Sequence, residues 1–413
     1  MKKILPTLEL ITLSLMVISL PSLEAPKNIF LVGYLLTRMI TEVYQLKEGR
    51  KLWGHWDNLF ATIVFTALLT TIFAGFSGHE EWKGYRVLLT GVLTGWALSR
   101  TCYSMIQYQL LFKLIVLSTL PPLIWGLYEL YVIKSKIYLE IHSVGHVNHS
   151  AIYLTIIFGA CVSWFISKIN YKKERLIFNW KTIFLGVLSL LFFISLIIGS
   201  SRAAFGISII LGLVLFLLLT KKNIVKIITI TAVLSFLTIL VALKPPIVQE
   251  QIDSQHDNNI LSDRGRVWNV SIEAAKWYPL LGIGLSNWHF INYDQLKKSV
   301  IERKETFDPE NYLMPGHSHN LYLSALVERG VVGLMMTFLF MIAWIHRLIK
   351  TFTWAKESRE KTYLWGGSFS AWIATFGIGL VNTTFHHEHA ILACLFLGIH
   401  LSCTRLLFKK DLT

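Results

Sequence analysis

Polar residues that could do chemistry stand together where a long polar stretch of the chain gives way to apolar sequence. The segment "HSHN" consists of His317, Ser318, His319 and Asn320. Ser318 is a typical N-cap residue and predicts a helix beginning at His319, whose first backbone N–H groups would favour an anion. A neutral imidazole there, with an ordinary pKa of about 6.5, suits proton abstraction at neutral pH. The alternative interpretation is that both histidines are interfacial polar residues without a catalytic role.

Three arginines occupy positions that a simple surface role does not explain. Arg202 falls in a short connection between two apolar stretches, where a charge is costly unless it has a partner. Arg264 and Arg266 begin a predicted amphipathic helix, in the turn that normally favours acidic residues. Because guanidinium groups bind phosphate oxygens with paired hydrogen bonds, these arginines and a histidine base predict a site for a lipid-linked pyrophosphate. The alternatives are that Arg202 reaches lipid headgroups and that Asp263 pairs with one of the other two arginines.

The elements that must position these residues are transmembrane helices. The chain has 413 residues, of which 54% are hydrophobic and 15% charged, and its mean hydropathy is +0.53. Several windows of about 20 nearly uncharged residues are long enough to span a bilayer. The sequence therefore predicts an all-α, polytopic membrane protein with about twelve transmembrane helices. The predicted spans are 5–23, 28–45, 57–76, 86–104, 110–132, 149–168, 181–199, 203–220, 225–243, 320–345, 363–385 and 390–408.

The predicted spans fall into two groups separated by one long loop. Residues 1–243 hold the first nine helices, residues 244–318 form a loop with short amphipathic helices, and residues 319–413 hold the last three helices. Within the loop, the spacing of apolar residues predicts a helix at about 264–277 and a weaker one at about 294–305. Loops of this length with helices of their own are usually functional.

The distribution of charge predicts the orientation of the chain and argues against nucleic-acid binding. The formal net charge is +14 at pH 7. Lysine and arginine are concentrated in the connections on one side, which the positive-inside rule places in the cytoplasm. The loop 244–318 then lies outside, and it has eight Lys or Arg residues against ten Asp or Glu residues. Most of the positive charge is therefore explained by the orientation of the chain in the membrane and does not indicate a nucleic-acid partner.

Most histidines also fall on the outer side in this predicted topology. Eleven of the fourteen lie there, including the run "HHEH" at 386–389. Two members of the run are three residues apart, so they could share a helix face and bind a metal ion. We interpret them instead as the rim of a pocket or a helix cap, and we predict no metal site. The sequence leaves four roles open, those of His149, His386, His387 and His389.

The order and spacing of these motifs resemble those of the O-antigen ligase/polymerase superfamily. The family signature is a histidine, then Asn, Ser or Gln, nine residues, a glycine, two residues and a second glycine. His319, Asn320, Gly330 and Gly333 match it without a gap. The upstream segment that runs from the "GR" of Arg266 to "PLLGIG" is similar to a second family motif, and "GSSRAAF" to a third. Twelve spans with one large loop after the ninth also fit the family.

This resemblance implies roles for the candidate residues. His319 would be the general base on an acceptor hydroxyl, and Arg202 and Arg266 would bind the diphosphate of an undecaprenyl-diphosphate-linked glycan. Arg264 is a further candidate diphosphate ligand and His317 a supporting residue, although the resemblance fixes neither role. The implied step is inverting attack of the hydroxyl on the anomeric carbon of the donor, with undecaprenyl diphosphate leaving. It requires no metal ion and no other cofactor.

The size of the chain and the single large loop favour one activity within the superfamily. That activity is O-antigen ligase, which joins a lipid-linked polysaccharide to a lipid A–core sugar. The alternatives are an O-antigen polymerase, a protein O-oligosaccharyltransferase and, from a different class, a non-catalytic lipid or glycan transporter. The expected partners are the undecaprenyl-diphosphate-linked donor, the lipid A–core acceptor and membrane lipids, with no nucleic acid. The expected location is the bacterial inner membrane, with the active site on its periplasmic side.

Overall fold

The computed structural model describes residues 4–47, 53–170, 180–243, 263–314, 316–405 and 407. Over these ranges the chain is helical and has no β-strand, in agreement with the predicted all-α class. The helices of the first part are α1 (Ile4–Ser19), α2 (Glu24–Lys47), α3 (His55–Ile72), α4 (Glu80–Ser99), α5 (Met105–Leu117), α6 (Leu120–Tyr128), α7 (Val147–Asn170), α8 (Trp180–Ile198), α9 (Arg202–Leu219) and α10 (Asn223–Leu243). Those of the second part are α11 (Arg264–Trp277), α12 (Tyr293–Glu302), α13 (Leu321–Lys350), α14 (Phe352–Ala355), α15 (Arg359–Ile378) and α16 (His387–Cys403).

Each predicted span overlaps at least one helix, and several of these helices suit a bilayer. Five helical stretches of the described chain are long and apolar enough to cross a membrane: Met105–Ile133, Val147–Asn170, Trp180–Ile198, Arg202–Leu219 and Leu321–Lys350. Shorter apolar helices are Ile4–Ser19, Asn223–Phe236 and His387–Cys403. The chain is therefore a multi-pass membrane protein, whereas the full count of twelve spans and the outer location of the large loop stay predictions.

The fifth predicted span is divided by a break between α5 and α6. Helix α5 begins at a capping box, in which Ser104 and Gln107 each accept a hydrogen bond from the other's backbone N–H. Pro121 and Pro122 fall in the first turn of α6. Because proline has no backbone N–H, it can begin a helix but cannot continue one, and the break lies just before the pair. Helix α6 then runs into a π-helical turn at Glu129–Ile133.

Helices α7, α15 and α16 form the centre of the bundle. Almost all side chains of α7 and α16 are buried, whereas α8 and α10 expose large apolar residues, as lipid-facing helices do. Small residues allow the close approach that helices need in a membrane. A Cβ on Gly159 of α7 would lie 2.3 Å from Ser370 Oγ of α15, and one on Gly95 of α4 would lie 3.2 Å from Cys394 Cβ of α16. These close contacts fix the spacing between α7 and α15 and between α4 and α16.

The loop after α10 contains the stronger of its two predicted helices at the predicted position. The expected helix at about 264–277 is observed as α11, with the same bounds. Val270 and Ala274 of its apolar face are fully buried, whereas Ile272, expected on the same face, is 48% exposed. Helix α11 packs against α13 through its buried face. The loop therefore rests on the helix that carries the histidine motif.

The second predicted loop helix is shorter than expected. It is observed as α12 and ends three residues before the predicted end at 305. A polar network joins α12 to α11: Arg303 Nη2 donates to Glu273 Oε2 at 2.8 Å, and Ser299 Oγ donates to Glu273 Oε1 at 2.5 Å. Residues 244–262, which include the "KPP" expected to end the ninth span, lie outside the described residues.

A buried cluster of charged residues joins α1, α2, α3 and α4 at the end of the bundle where α13 finishes. Arg38 pairs with Glu9 at 3.4 Å and also with Glu42. Arg100 pairs with Glu42 at 2.7 Å and also with Asp57. All five residues are buried. Because every charge has an opposite partner, the cluster avoids the cost of an unpaired ion in the bundle. The sequence analysis did not predict this cluster.

Candidate functional site

The helix that carries the histidine motif begins two residues later than predicted. Helix α13 begins at Leu321, and Asn320 is its N-cap, with Oδ1 accepting from two backbone N–H groups of the first turn at 2.9 and 3.0 Å. The predicted cap at Ser318 and helix start at His319 are therefore wrong. The reason is the backbone of His319, whose φ of +50° lies in the left-handed region and cannot continue a right-handed helix.

Ser318 instead anchors the turn that precedes α13. Its side chain is fully buried, and its Oγ lies 2.6 Å from Ser324 Oγ. Its backbone carbonyl accepts a hydrogen bond from Trp268 Nε1 of α11 at 3.1 Å. On the other side of the turn, Asn320 Nδ2 donates to the carbonyl of Leu380 at 2.8 Å. The start of α13 is thus tied both to the loop helix α11 and to the end of α15.

The two histidines of the motif lie outside the helix with their rings in contact. The ring centroids of His317 and His319 are 4.1 Å apart, and both side chains are half-buried. Burial lowers the pKa of His319, and the charge of Arg264 lowers it further, while an interaction with the Asn382 side chain acts in the opposite direction. Burial and the neighbouring His319 lower the pKa of His317 to about 4. Both imidazoles are therefore neutral at pH 7 and able to accept a proton.

Two arginines from different elements share the neighbourhood of His319. Arg202 is the first residue of α9, and Arg264 is the first residue of α11. Burial lowers the pKa of Arg264, and the nearby charge of Arg202 lowers it further. Arg266 faces Asp263 instead, with 3.7 Å between Nη1 and Oδ1. The structure thus brings Arg202, Arg264 and His319 together, whereas Arg266 has the acidic partner that the sequence offered as an alternative. Arg264 is the residue that links the other two, since its charge acts on His319 and the charge of Arg202 acts on it.

The glycines of the motif allow a loop segment to pack directly against α13. At Gly330 the helix leaves helical geometry, with φ of +62° and ψ of −164°. Residues 279–284, the "PLLGIG" motif, lie in this break, and the Val331 N–H donates to the Pro279 carbonyl at 2.8 Å. A Cβ on Gly330 would lie 2.3 Å from the backbone carbonyl of Leu280, so only glycine fits. The "PLLGIG" motif and the glycine motif of α13, which are distant in sequence, therefore contact each other directly.

The same contact depends on glycine from the loop side. Gly282 has a φ of +79°, and a Cβ there would lie 2.4 Å from backbone atoms of Glu328 and Arg329. A Cβ on Gly333 would lie 2.2 Å from Arg329 Cβ, so the second glycine of the signature makes room for that side chain. Trp288 Nε1 donates to Glu328 Oε1 at 2.6 Å. Non-helical backbone within a membrane-spanning helix needs such a protein environment to satisfy its polar groups.

A cavity of about 420 Å³ opens beside His317. Its walls are formed by α4, the loop residues 285–288, α13 and the connection before α16. Ser324, Thr383 and Glu328 are among the polar residues that line it. The volume falls in the range of small-molecule sites. The cavity can therefore hold a polar group of about the size of a sugar next to the motif.

A second group of histidines contributes to the wall of the same cavity. His149, His386 and His387 line it, so the run at 386–389 contributes to a pocket rim, one of the two interpretations offered for it. His149 lies in the first turn of α7, next to Asn148, whose Oδ1 accepts a hydrogen bond from Ser201 Oγ at 3.1 Å. This bond joins the start of α7 to the start of α9. The histidine group and the Arg202 end of α9 are therefore neighbours.

Asn382 is a residue of this site that the sequence analysis missed. It is 1% exposed, and its side chain interacts with the His319 ring. The predicted span 363–385 placed it inside a membrane helix, whereas α15 ends at Ile378. The polar run "NTTFHHEH", which begins at Asn382, was the signal that a connection rather than a helix occupies this stretch.

The architecture and the site together define a class of protein. A bundle of long apolar helices holds paired arginines and neutral histidines at one end, next to a cavity, as in a membrane enzyme that acts on an anionic substrate. A sequence model of the O-antigen ligase family matches residues 187–338, and this match bears out the resemblance to the O-antigen ligase/polymerase superfamily. The matched segment contains all the site residues proposed from the sequence.

A relative among curated proteins provides a second comparison. A protein of Haemophilus influenzae (strain ATCC 51907 / DSM 11121 / KW20 / Rd), described as uncharacterized, is 27% identical over 199 residues. The alignment covers 45% of this chain and 46% of the relative, so the chain matches less than half of that protein's length. The two proteins therefore share a similar segment, and this similarity gives no information about function.

Proposed function

We propose that the protein is an O-antigen ligase of the bacterial inner membrane. It transfers a polysaccharide from undecaprenyl diphosphate to a sugar hydroxyl of lipid A–core, by a metal-independent, inverting reaction on the periplasmic side. The observation that carries the proposal is the convergence of Arg202, Arg264 and His319 near the start of α13, inside the segment matched by the O-antigen ligase family. This arrangement combines a base with cations that suit a diphosphate.

The proposed reaction begins with the acceptor hydroxyl at His319. The neutral imidazole takes the hydroxyl proton as the oxygen forms a bond to the anomeric carbon of the donor sugar. The bond from that carbon to the diphosphate oxygen breaks on the opposite face, and its electron pair leaves with undecaprenyl diphosphate. The anomeric configuration therefore inverts. Burial and Arg264 lower the pKa of His319 and so maintain the unprotonated form that this step requires.

The leaving diphosphate requires positive charge where its own negative charge develops. Arg202 and Arg264 come from different helices and can each present a guanidinium fork to phosphate oxygens. An anion between them would also relieve the unfavourable interaction between the two cations that lowers the pKa of Arg264. Arg266 faces Asp263, so we assign the diphosphate to Arg202 and Arg264. Arg266 then orients the beginning of α11.

The cavity beside His317 gives the acceptor sugar a place to bind. Its polar lining, which includes Ser324 and Thr383, offers hydrogen bonds to sugar hydroxyls. Helices α4 and α13 form part of its wall, and α13 is long and apolar enough to cross a membrane, so an acceptor anchored in lipid could reach the cavity along α13. The acceptor hydroxyl would therefore reach His319 from the His317 side, and the donor diphosphate would lie on the arginine side.

One reconstitution distinguishes this proposal from its alternatives. Protein purified in detergent is mixed with an undecaprenyl-diphosphate-linked glycan, with and without lipid A–core, and the products are separated on a gel. We expect a glycan-modified lipid A band that requires the core acceptor. A ladder of longer lipid-linked glycans without core would instead establish an O-antigen polymerase. Folded protein that is inactive in both reactions would favour a protein acceptor or a transporter, and a protein substrate added to the same mixture separates those two.

A further inference from the structure

Four histidines from two helices meet at the end of the bundle where α13 begins. The ring of His149, in the first turn of α7, lies 4.7 Å from that of His386 and 5.2 Å from that of His387. His386 precedes the first residue of α16, and His387 begins it. His389, one turn into α16, has its ring 5.4 Å from that of His149 and 5.0 Å from that of His386. The group lies outside residues 187–338, the segment matched by the family.

The ligand atoms of three of these residues satisfy the first requirement of a metal site. One ring nitrogen from each of His149, His386 and His387 lies within 4.8 Å of the other two. In a tetrahedral zinc site with bonds of about 2.0–2.1 Å, ligand nitrogens are about 3.3–3.4 Å apart. Small rotations of these side chains would close that difference. Neutral imidazole is a preferred ligand of zinc, copper and nickel rather than of magnesium or calcium.

His389 provides an independent indication that a ligand belongs at this place. It is only 1% exposed. Neither of its ring nitrogens has a hydrogen-bond partner among the described residues. A buried imidazole always presents one donor and one acceptor, and leaving both unpaired is costly. A metal ion held by the neighbouring rings would give His389 a bonding partner, because the His389 ring lies 5.0 Å from that of His386 and 5.4 Å from that of His149.

We propose that His149, His386 and His387, with His389 as the fourth imidazole, form a binding site for a divalent transition-metal ion such as Zn²⁺. Such an ion would join the first turn of α7 to the first turn of α16. The transfer step proposed above makes no use of this ion, and the two proposals can therefore fail separately.

The packing around α16 supports a preformed site. Lys27 of α2 pairs with Glu388, and both side chains are buried. This ion pair fixes the first turn of α16 between the ligands His387 and His389. Phe385 and His387 both have positive φ values, +68° and +54°, in the left-handed region that residues other than glycine seldom adopt. The backbone on both sides of His386 is therefore held in a conformation that local preference would not select.

Metal analysis of the purified protein tests this proposal directly. The full chain, purified with a tag that contains no histidine, is dialysed against Zn²⁺ and its zinc content is measured without donor or acceptor. We expect about one Zn²⁺ per chain, as for a single tetrahedral site. His387→Ala and His386→Ala should reduce the bound zinc to the background level. The matched control is His289→Ala, which removes an exposed loop histidine outside the cluster and should retain the ion.

Thermal unfolding provides the second measurement. A ligand that binds only the folded state raises its stability, so Zn²⁺ should raise the unfolding midpoint of the wild type and of His289→Ala. It should leave the midpoint of His387→Ala unchanged, and since His387 is exposed, this variant should fold even if His386→Ala does not. Wild-type protein without zinc above background would overturn the proposal. So would zinc that persists in both cluster variants, or that is lost equally from the control.

Discussion

His319 owes its position at the mouth of α13 to a backbone conformation that few residues adopt. Its φ of +50° costs about 1–2 kcal/mol and holds the ring outside the helix, next to His317. We predict that His319→Ala lowers the rate of glycan transfer about 10²–10⁴-fold, the usual contribution of a general base. The loss should be incomplete, because the arginines still stabilise the leaving group. The measurement is the initial rate at equal protein concentration, with His289→Ala as control, and a wild-type rate in His319→Ala would falsify the assigned role.

The lowered pKa of His319 predicts an unusual pH profile. An unperturbed imidazole would become protonated, and so inactive as a base, as the pH falls through about 6.5. Because the pKa of His319 is lowered, the acidic limb of kcat/KM should lie below that value. Arg264→Gln removes one of the causes that lower the pKa of His319, so the acidic limb should shift to higher pH. Burial, the largest cause, should still keep the limb below pH 6.5. The charged and titratable groups near the ring are Arg264, His317 and His146. A limb that does not move in Arg264→Gln would exclude electrostatic control of His319 by this arginine.

The two arginines of α11 should differ in their contribution to transfer. Residues two apart point about 200° apart around a helix, so Arg264 and Arg266 cannot face the same group. Arg264 faces the Arg202 side and Arg266 faces Asp263. We predict that Arg264→Lys loses at least about tenfold in kcat/KM, because an ammonium group cannot supply the guanidinium fork. Arg266→Lys, the matched control, should lose less than about threefold. A larger loss of kcat/KM in Arg266→Lys than in Arg264→Lys would show that Arg266, and not Arg264, binds the diphosphate.

The sequence indicated which residues could do the proposed chemistry, but it did not predict their arrangement. His319 and Arg202 were identifiable because a polar or charged group at a span end is costly, and that cost is visible in the sequence. The choice between Arg264 and Arg266 was not visible, because it depends on the rotation of α11 about its axis. Asn382 was missed for a different reason, since its neighbours suggested a longer helix than α15.

At the scale of elements, the contact between α13 and the loop segment 279–284 holds the site together. Gly330→Ala places a Cβ 2.3 Å from the Leu280 backbone and requires a φ of +62° from alanine. Backbone strain and overpacking each cost about 1–3 kcal/mol, so we predict a loss of about 3 kcal/mol or more in the free energy of unfolding. Gly206→Ala in α9 is the matched control, because a Cβ there meets nothing within 4 Å, and it should change stability by less than about 1 kcal/mol.

Denaturant titration of both glycine variants in detergent micelles is the measurement. Transfer activity should fall further in Gly330→Ala than its folded fraction explains, because α11 carries Arg264 and rests on α13. Equal stability of the Gly330→Ala and Gly206→Ala proteins would contradict the proposed contact.

Element boundaries were predicted well where the pattern is local. Helix α11 has its expected bounds because its apolar spacing, together with Pro279 and the glycines that follow, defines both ends. Helix α13 begins two residues later than predicted. Ser318 and Asn320 are both good N-cap residues, and the left-handed backbone at His319 prevents a helix from beginning at that residue, so Asn320 is the cap. The break at Gly330 depends on a partner segment almost fifty residues away, and no local pattern contains that information.

At the scale of the whole molecule, the two ends of the bundle have different tasks. The end where α13 begins carries the proposed site, and the opposite end carries the buried charge cluster of Arg38, Glu42, Arg100, Glu9 and Asp57. The sequence predicted that polar residues concentrate at the first end, through the histidine distribution. It could not predict the cluster, because its members come from four helices and each alone resembles an ordinary interfacial charge.

This separation predicts that the cluster supports stability and not turnover. Glu42→Gln leaves Arg38 and Arg100 without their shared partner, and breaking a buried ion pair in this way costs about 3–5 kcal/mol. The matched control is Glu140→Gln, which removes the half-buried partner of the exposed Lys136 and should cost about 1 kcal/mol or less. Denaturant titration in micelles measures both losses, while transfer rates normalised to folded protein should stay near the wild-type value in each. A Glu42→Gln protein of full stability would show that the arginines find other partners, and a specific loss of turnover would show that the charge cluster acts on the site across the bundle.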